Sequence, residues 1–136
     1  MTLKVVLLAA ALALAPVAKA EMFPGNYELR TDWDPTHSWV WQVTACGVGC
    51  VYISAIPRPN GGAAPYYGSA DLAEGQYRWD VDVHTGLVCF GHALPTHNTY
   101  TWDPASLTGS VSVAFDVGCS GEPAGSFTYS FALARL

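Results

Sequence analysis

Apolar residues recur at every second position along most of the chain, a period that predicts β-strands and leaves no competing helical stripe. Over 76–83, Tyr77, Trp79, Val81 and Val83 share one face while Gln76, Arg78, Asp80 and Asp82 share the other. Over 107–117, Val111, Val113, Phe115 and Val117 alternate with Ser110, Ser112 and Asp116. The run from Phe127 repeats the pattern with Tyr129, Phe131 and Leu133, and 37–46 places Trp39, Trp41 and Val43 on one face. Shorter strands are predicted at 27–30, 51–56, 66–72, 87–90 and 97–102. Turn chemistry separates these runs: Asp-Pro at 34–35 and 103–104, Gly47-Val48-Gly49, and Glu74-Gly75 as a two-residue hairpin. The two longer loops, 57–65 and 120–125, are rich in Gly and Pro. The expectation is an all-β domain of about 8–9 strands, a sandwich or a barrel. Polar outer faces and short hairpins favour a small antiparallel up-and-down barrel.

The first twenty residues stand outside that pattern. Lys4 precedes an apolar run over 5–15, and Ala18-Lys19-Ala20 supplies a small-x-small cleavage site, the signature of a secretory signal peptide. The run is shorter than the ~20 residues of a membrane-spanning helix. The mature domain is therefore expected at 21–136, secreted and extracellular or associated with the cell envelope, without stable membrane insertion. Both lysines leave with the leader, so four arginines face eleven carboxylates. Such an acidic domain cannot displace counterions from phosphates, which argues against a nucleic-acid partner.

Four cysteines, Cys46, Cys50, Cys89 and Cys119, lie in the exported part, and an even count in an oxidising compartment reads as two disulfides. The C-x3-C spacing and two isolated cysteines do not suit a zinc site. Three connectivities are possible in principle. In a meander, successive turns fall at alternate ends, and counting from Tyr27 the turns at 47–49, 74–75, 91–96 and 120–125 share one end. All four cysteines then gather at one pole, paired Cys46–Cys50 across a hairpin and Cys89–Cys119 between strands. The opposite pole would collect Trp33-Asp34-Pro35, the long loop with Arg58, His84-Thr85-Gly86 and Asp103-Pro104. It would form a looser, aromatic-rich mouth.

Two stretches carry a family resemblance: Trp41-x2-Thr44-x-Cys46-Gly47-x-Gly49-Cys50-Val51, and Tyr100-Thr101-Trp102-Asp103-Pro104 with Leu107-Thr108-Gly109. A third, Gly118-Cys119-x-Gly121-x-Pro123-x-Gly125, completes it. The chain resembles a group of small secreted mycobacterial and actinobacterial proteins without an assigned biochemical function. The resemblance implies export and a bridged β-fold, and it brings no catalytic residues.

Chemistry is sparse. No Gly-x-Ser-x-Gly, phosphate-binding Gly-Lys-Ser/Thr or His-Glu-x-x-His occurs, and no cofactor is implied. Asp82 with His84, and His92 with His97, could each begin a metal site, but the turn count sets the two pairs at opposite ends, and no metal is expected. Asp80 and Asp82 have a spacing compatible with acid–base work in a hydrolase, although alternating acids on an outer strand face more commonly protect an edge. The aromatic residues are the strongest signal. Most belong to a core, but Trp33, Tyr66 and Tyr67 sit in or beside loops, where packing explains them less well. The expected function is a non-enzymatic secreted barrel that binds a small hydrophobic or aromatic ligand at its mouth. Trp33, Tyr66 and Tyr67 would line the wall, and Arg58 or His84 would orient a polar group. The alternative is an extracellular protein-interaction or envelope structural module with a filled core.

Overall fold

The computed structural model describes residues 21–32, 38–58 and 63–136. The expected leader over 1–20, together with Trp33 and His37, lies outside them. Eight strands follow one another in chain order: β1 (Gly25–Thr31), β2 (Ser38–Gly47), β3 (Cys50–Arg58), β4 (Tyr66–Ala73), β5 (Gln76–Cys89), β6 (His92–Trp102), β7 (Thr108–Phe115) and β8 (Gly125–Arg135). Each pairs antiparallel with the next, and β8 returns to β1, closing an up-and-down barrel. The barrel, and not the sandwich, is the fold.

Local chemistry sets the hairpins. Glu74 and Gly75 both have positive φ, 55° and 81°, as the primed two-residue turn demands if its twist is to match the strands it joins. In the Asp-Pro turn after β6, the Asp103 carboxylate accepts the backbone N–H groups of Ala105 and Ser106 at 2.8 and 3.0 Å.

One expected turn is not a turn. His84-Thr85-Gly86 lies inside β5, where Val83 faces Thr96 and Leu87 faces Leu94, so three residues of β5 stand against one of β6. This is an enlarged bulge, and Leu87–Cys89 of the expected strand over 87–90 extend β5 instead of forming a ninth strand. The bulge is possible because Gly86 lies flat against Thr96: a Cβ there would sit 1.8 Å from the Thr96 hydroxyl oxygen. Removing one reversal flips the count of ends for everything downstream. The disulfides are Cys46–Cys50 and Cys89–Cys119, with Cα separations of 5.1 and 5.5 Å, but they occupy opposite poles. Cys46–Cys50 shares its pole with the Glu74-Gly75 and Asp103-Pro104 turns, whereas Cys89–Cys119 staples the other.

Alternation decides the interior. Tyr27, Trp41, Val43, Ile53, Tyr77, Trp79, Trp102, Val111 and Phe131 point inward and are buried, while Thr99, Thr101, Ser110, Ser112, Thr128 and Ser130 face outward. A lipid-facing barrel would carry the reverse pattern. At the Cys46–Cys50 pole the interior is filled by Trp41, Trp79, Trp102 and Tyr77, whose rings pack edge-on or stacked at centroid distances near 5.3 Å. Small inward residues on β3 and β4, Ala55, Gly68 and Ala70, make the room. Glu21 and Met22, ahead of β1, close this end: Met22 is buried, its N–H reaches the Tyr77 hydroxyl at 3.3 Å, and the Glu21 carboxylate accepts the Gly49 N–H.

The wall is uneven. The β4–β5 ladder consists of three pairs, Asp71–Arg78, Leu72–Tyr77 and Ala73–Gln76. Toward the Cys89–Cys119 pole no further ladder pair joins them, and the Ala64 N–H reaches across to the Thr85 hydroxyl at 3.2 Å.

Candidate functional site

The aromatic filling stops halfway along the barrel. Beyond it, at the Cys89–Cys119 pole, lies an open-mouthed cavity of about 760 Å³. Leu29, Trp39, Pro57, Val83, Leu87 and Phe127 supply apolar wall, and Tyr66, Asn98, Tyr100 and Tyr129 add polar atoms. Eight strands leave room for either a filled core or one small cavity; this barrel is filled at one end and hollow at the other. No Arg, Lys, Asp or Glu lines the cavity among the described residues.

At the cavity floor the inward row of β6 turns polar. The Thr96 hydroxyl donates to the Asn98 side-chain carbonyl at 2.7 Å, and the Asn98 amide donates to the Tyr100 hydroxyl oxygen at 3.2 Å. Tyr100 in turn meets the Tyr66 hydroxyl at 2.9 Å. Tyr66 is held by rings on two sides, Trp39 at 4.9 Å and Trp79 at 5.5 Å. Burial pushes the Tyr66 hydroxyl well above the ordinary tyrosine range, and the neighbouring Tyr100 adds to it. Burial likewise raises Tyr100 and Tyr129. All three stay neutral donors at physiological pH. The indole N–H groups of Trp41, Trp79 and Trp102 are buried without a hydrogen-bond partner among the described residues. That of Trp41 lies near enough to Tyr66 to favour its ionised form slightly, in a geometry short of a hydrogen bond.

The rim is apolar and exposed. Val88 and Phe90 at the tip of the β5–β6 hairpin and Val117 after β7 surround the Cys89–Cys119 bridge, with Phe90 fully solvent-exposed.

Of the residues expected at the mouth, Tyr66 lines the cavity. Tyr67, one residue on, points outward and is 61 % exposed. Arg58 and His84 are exposed and absent from the lining, and Trp33 lies outside the described residues. Residues that sequence reasoning passed over as site residues, Trp39, Asn98, Tyr100, Phe127 and Tyr129, line the cavity with Tyr66. The signal for Asn98 was present: on the predicted strand over 97–102 it shares parity with Tyr100 and Trp102, so it had to point inward.

The outer face of β5 and β6 holds a separate polar cluster. The expected separation of the histidine sets does not hold, because the longer β5 brings His97 beside Asp82 at 2.8 Å. Asp80 accepts from the Thr99 hydroxyl at 2.7 Å and from Arg78 at 3.1 Å, which together hold its carboxyl below the usual range. Both acids therefore sit on a convex wall against neighbouring side chains. No group of three metal-ligating side chains occurs among the described residues. Nor, among them, is any helix long and apolar enough to cross a membrane.

Compared with protein-family models, with curated proteins and with solved structures, the chain matches none.

Proposed function

We propose that this protein is an exported, non-catalytic carrier that holds a small uncharged apolar molecule in the mouth cavity of its barrel. One observation carries the reading: a cavity of about 760 Å³, walled by apolar and aromatic side chains and free of charged residues among those described. That volume lies within the range of small-molecule sites, and the mixture of apolar wall with a few placed polar groups is their usual composition. Two disulfides support work in an oxidising compartment, and a resemblance to small secreted actinobacterial proteins agrees with export. Asp80 and Asp82 have no part in this reading, because both lie on the outer wall away from the cavity.

Native mass spectrometry of the domain, purified gently from the host that secretes it, tests the proposal. A reproducible mass excess that disappears on organic extraction supports a carrier. The bare mass of the bridged chain, with no uptake of an environment-sensitive apolar dye, would count against it. The exposed rim of Val88, Phe90 and Val117 favours a second reading, an interaction module that works through its surface. That reading expects Phe90→Ser to abolish partner capture while dye uptake is unchanged.

A further inference from the structure

Taking the cavity as a ligand site, we infer that its guest is a neutral molecule carrying an acceptor oxygen, a ketone, ester or amide carbonyl, which the Tyr66–Tyr100 pair binds at the floor.

The argument is a count of protons. Thr96 gives its hydroxyl proton to Asn98, and Asn98 gives an amide proton to the Tyr100 oxygen. The two tyrosine hydroxyls then share one hydrogen bond at 2.9 Å. Two O–H groups enter that bond and it uses one proton. Whichever tyrosine donates, the other keeps an O–H with no acceptor among the described residues. If Tyr100 donates, all donors run one way, from Thr96 through Asn98 and Tyr100 to Tyr66, so that each bond strengthens the next. The leftover proton then belongs to Tyr66, which lines the cavity.

Once a guest displaces water from the cavity, that hydroxyl needs an acceptor on the guest, because a buried hydroxyl without one is costly and native interiors rarely leave one. An oxygen on the guest satisfies it. Trp39 and Trp79 fix the Tyr66 ring, so the donor is positioned in advance. The guest's oxygen belongs to a neutral group, because a carboxylate at the floor would find no Arg or Lys among the described lining residues and would lose its hydration uncompensated. His92 also lines the cavity, but at its exposed end. It lies six residues along β6 from Asn98, about 20 Å at the rise of a strand.

Matched probes test this: benzophenone against diphenylmethane, and 2-nonanone against nonane, with binding measured by sealed equilibrium partitioning and gas chromatography. A merely oily cavity ranks each hydrocarbon above its ketone, since the carbonyl gives up hydrogen bonds to water. The inference expects the ketone to bind at least as tightly, because a made hydrogen bond returns about two- to tenfold in affinity. It also expects the carbonyl carbon-13 resonance of bound, labelled benzophenone to move downfield of its position in hydrocarbon solvent. Tyr66→Phe should shift that resonance again and lower the ratio of benzophenone to diphenylmethane affinity by about two- to tenfold. If both members bind, the hydrocarbon more tightly, with the carbonyl resonance at its hydrocarbon-solvent position, the acceptor-oxygen inference is overturned and the carrier reading survives. If neither member of either pair binds, both fall.

Discussion

Gly68 shows how much of this barrel rests on single atoms. It occupies an inward position of β4, where a Cβ would lie 2.7 Å from Nε1 of Trp79. Trp79 is fully buried against Trp41, Tyr66 and Tyr100, so it has nowhere to retreat. Gly68→Ala should therefore destabilise the domain by about 1–3 kcal/mol through overpacking, read as a lower urea midpoint at unchanged m-value. A neutral or stabilising result would mean that the aromatic layer is looser than its ring spacings indicate. The same residue marks a limit of reading inward positions from sequence. Alternation says that Gly68 faces inward, but not that its missing side chain is what seats a tryptophan. Tyr66 and Tyr67 show the complementary point. Both adjoin a loop and both are aromatic, yet strand parity alone separates them, one into the cavity and one into solvent.

The elements most readable in the sequence were those with unbroken alternation. The strands starting near Gln76, Thr108 and Phe127 and the Glu74-Gly75 hairpin lie where the pattern puts them. The element that escaped was β5, because a bulge and a turn draw on the same residues: His-Thr-Gly supplies a breaker in either case. What distinguishes them is long-range, namely that Leu87 and Cys89 resume the ladder against Leu94 and His92. The disulfide pairing survived the lost reversal because each bridge depends on neighbours at its own end and not on both ends coinciding. The two bridges should differ in weight. Cys89–Cys119 spans 30 residues and Cys46–Cys50 spans four. Loop-closure entropy then assigns about 3–4 kcal/mol to the first and about 2 to the second. Replacing Cys89 and Cys119 with Ser should lower the thermal midpoint more than replacing Cys46 and Cys50. The reverse order would show that the entropic account fails here.

At the scale of the whole molecule, one end is packed and the other hollow, and the sequence could not display that difference. Aromatic residues that fill space and aromatic residues that line it share the same alternation; only the relative sizes across the barrel decide. The polar row of β6 is where the two halves meet, and buried tyrosines cluster around it. Tyr66, Tyr77, Tyr100 and Tyr129 all have hydroxyls raised above the ordinary value, chiefly by burial. A raised folded-state value favours the neutral form. The stability these groups contribute is complete below about pH 10 and falls as pH climbs above it. Alkaline titration at 295 nm should therefore show these four of the seven tyrosines ionising together with loss of near-ultraviolet circular dichroism. Smooth ionisation of all seven with the dichroism intact would contradict the buried network.

The three-pair ladder between β4 and β5 makes the barrel a ring with a slit. Above Asp71 and Arg78, among the described residues, the two strands are joined by the bond from Ala64 to the Thr85 side chain, a contact that side-chain motion can release. A guest could thus pass through the flank of the molecule without any strand unzipping. Amide hydrogen exchange would register it: over 66–70, the amides turned toward β5 should exchange well ahead of those in β7, which is paired on both sides. Loading the cavity should slow them, and protection already equal to that of β7 in the empty barrel would mean that the slit does not open.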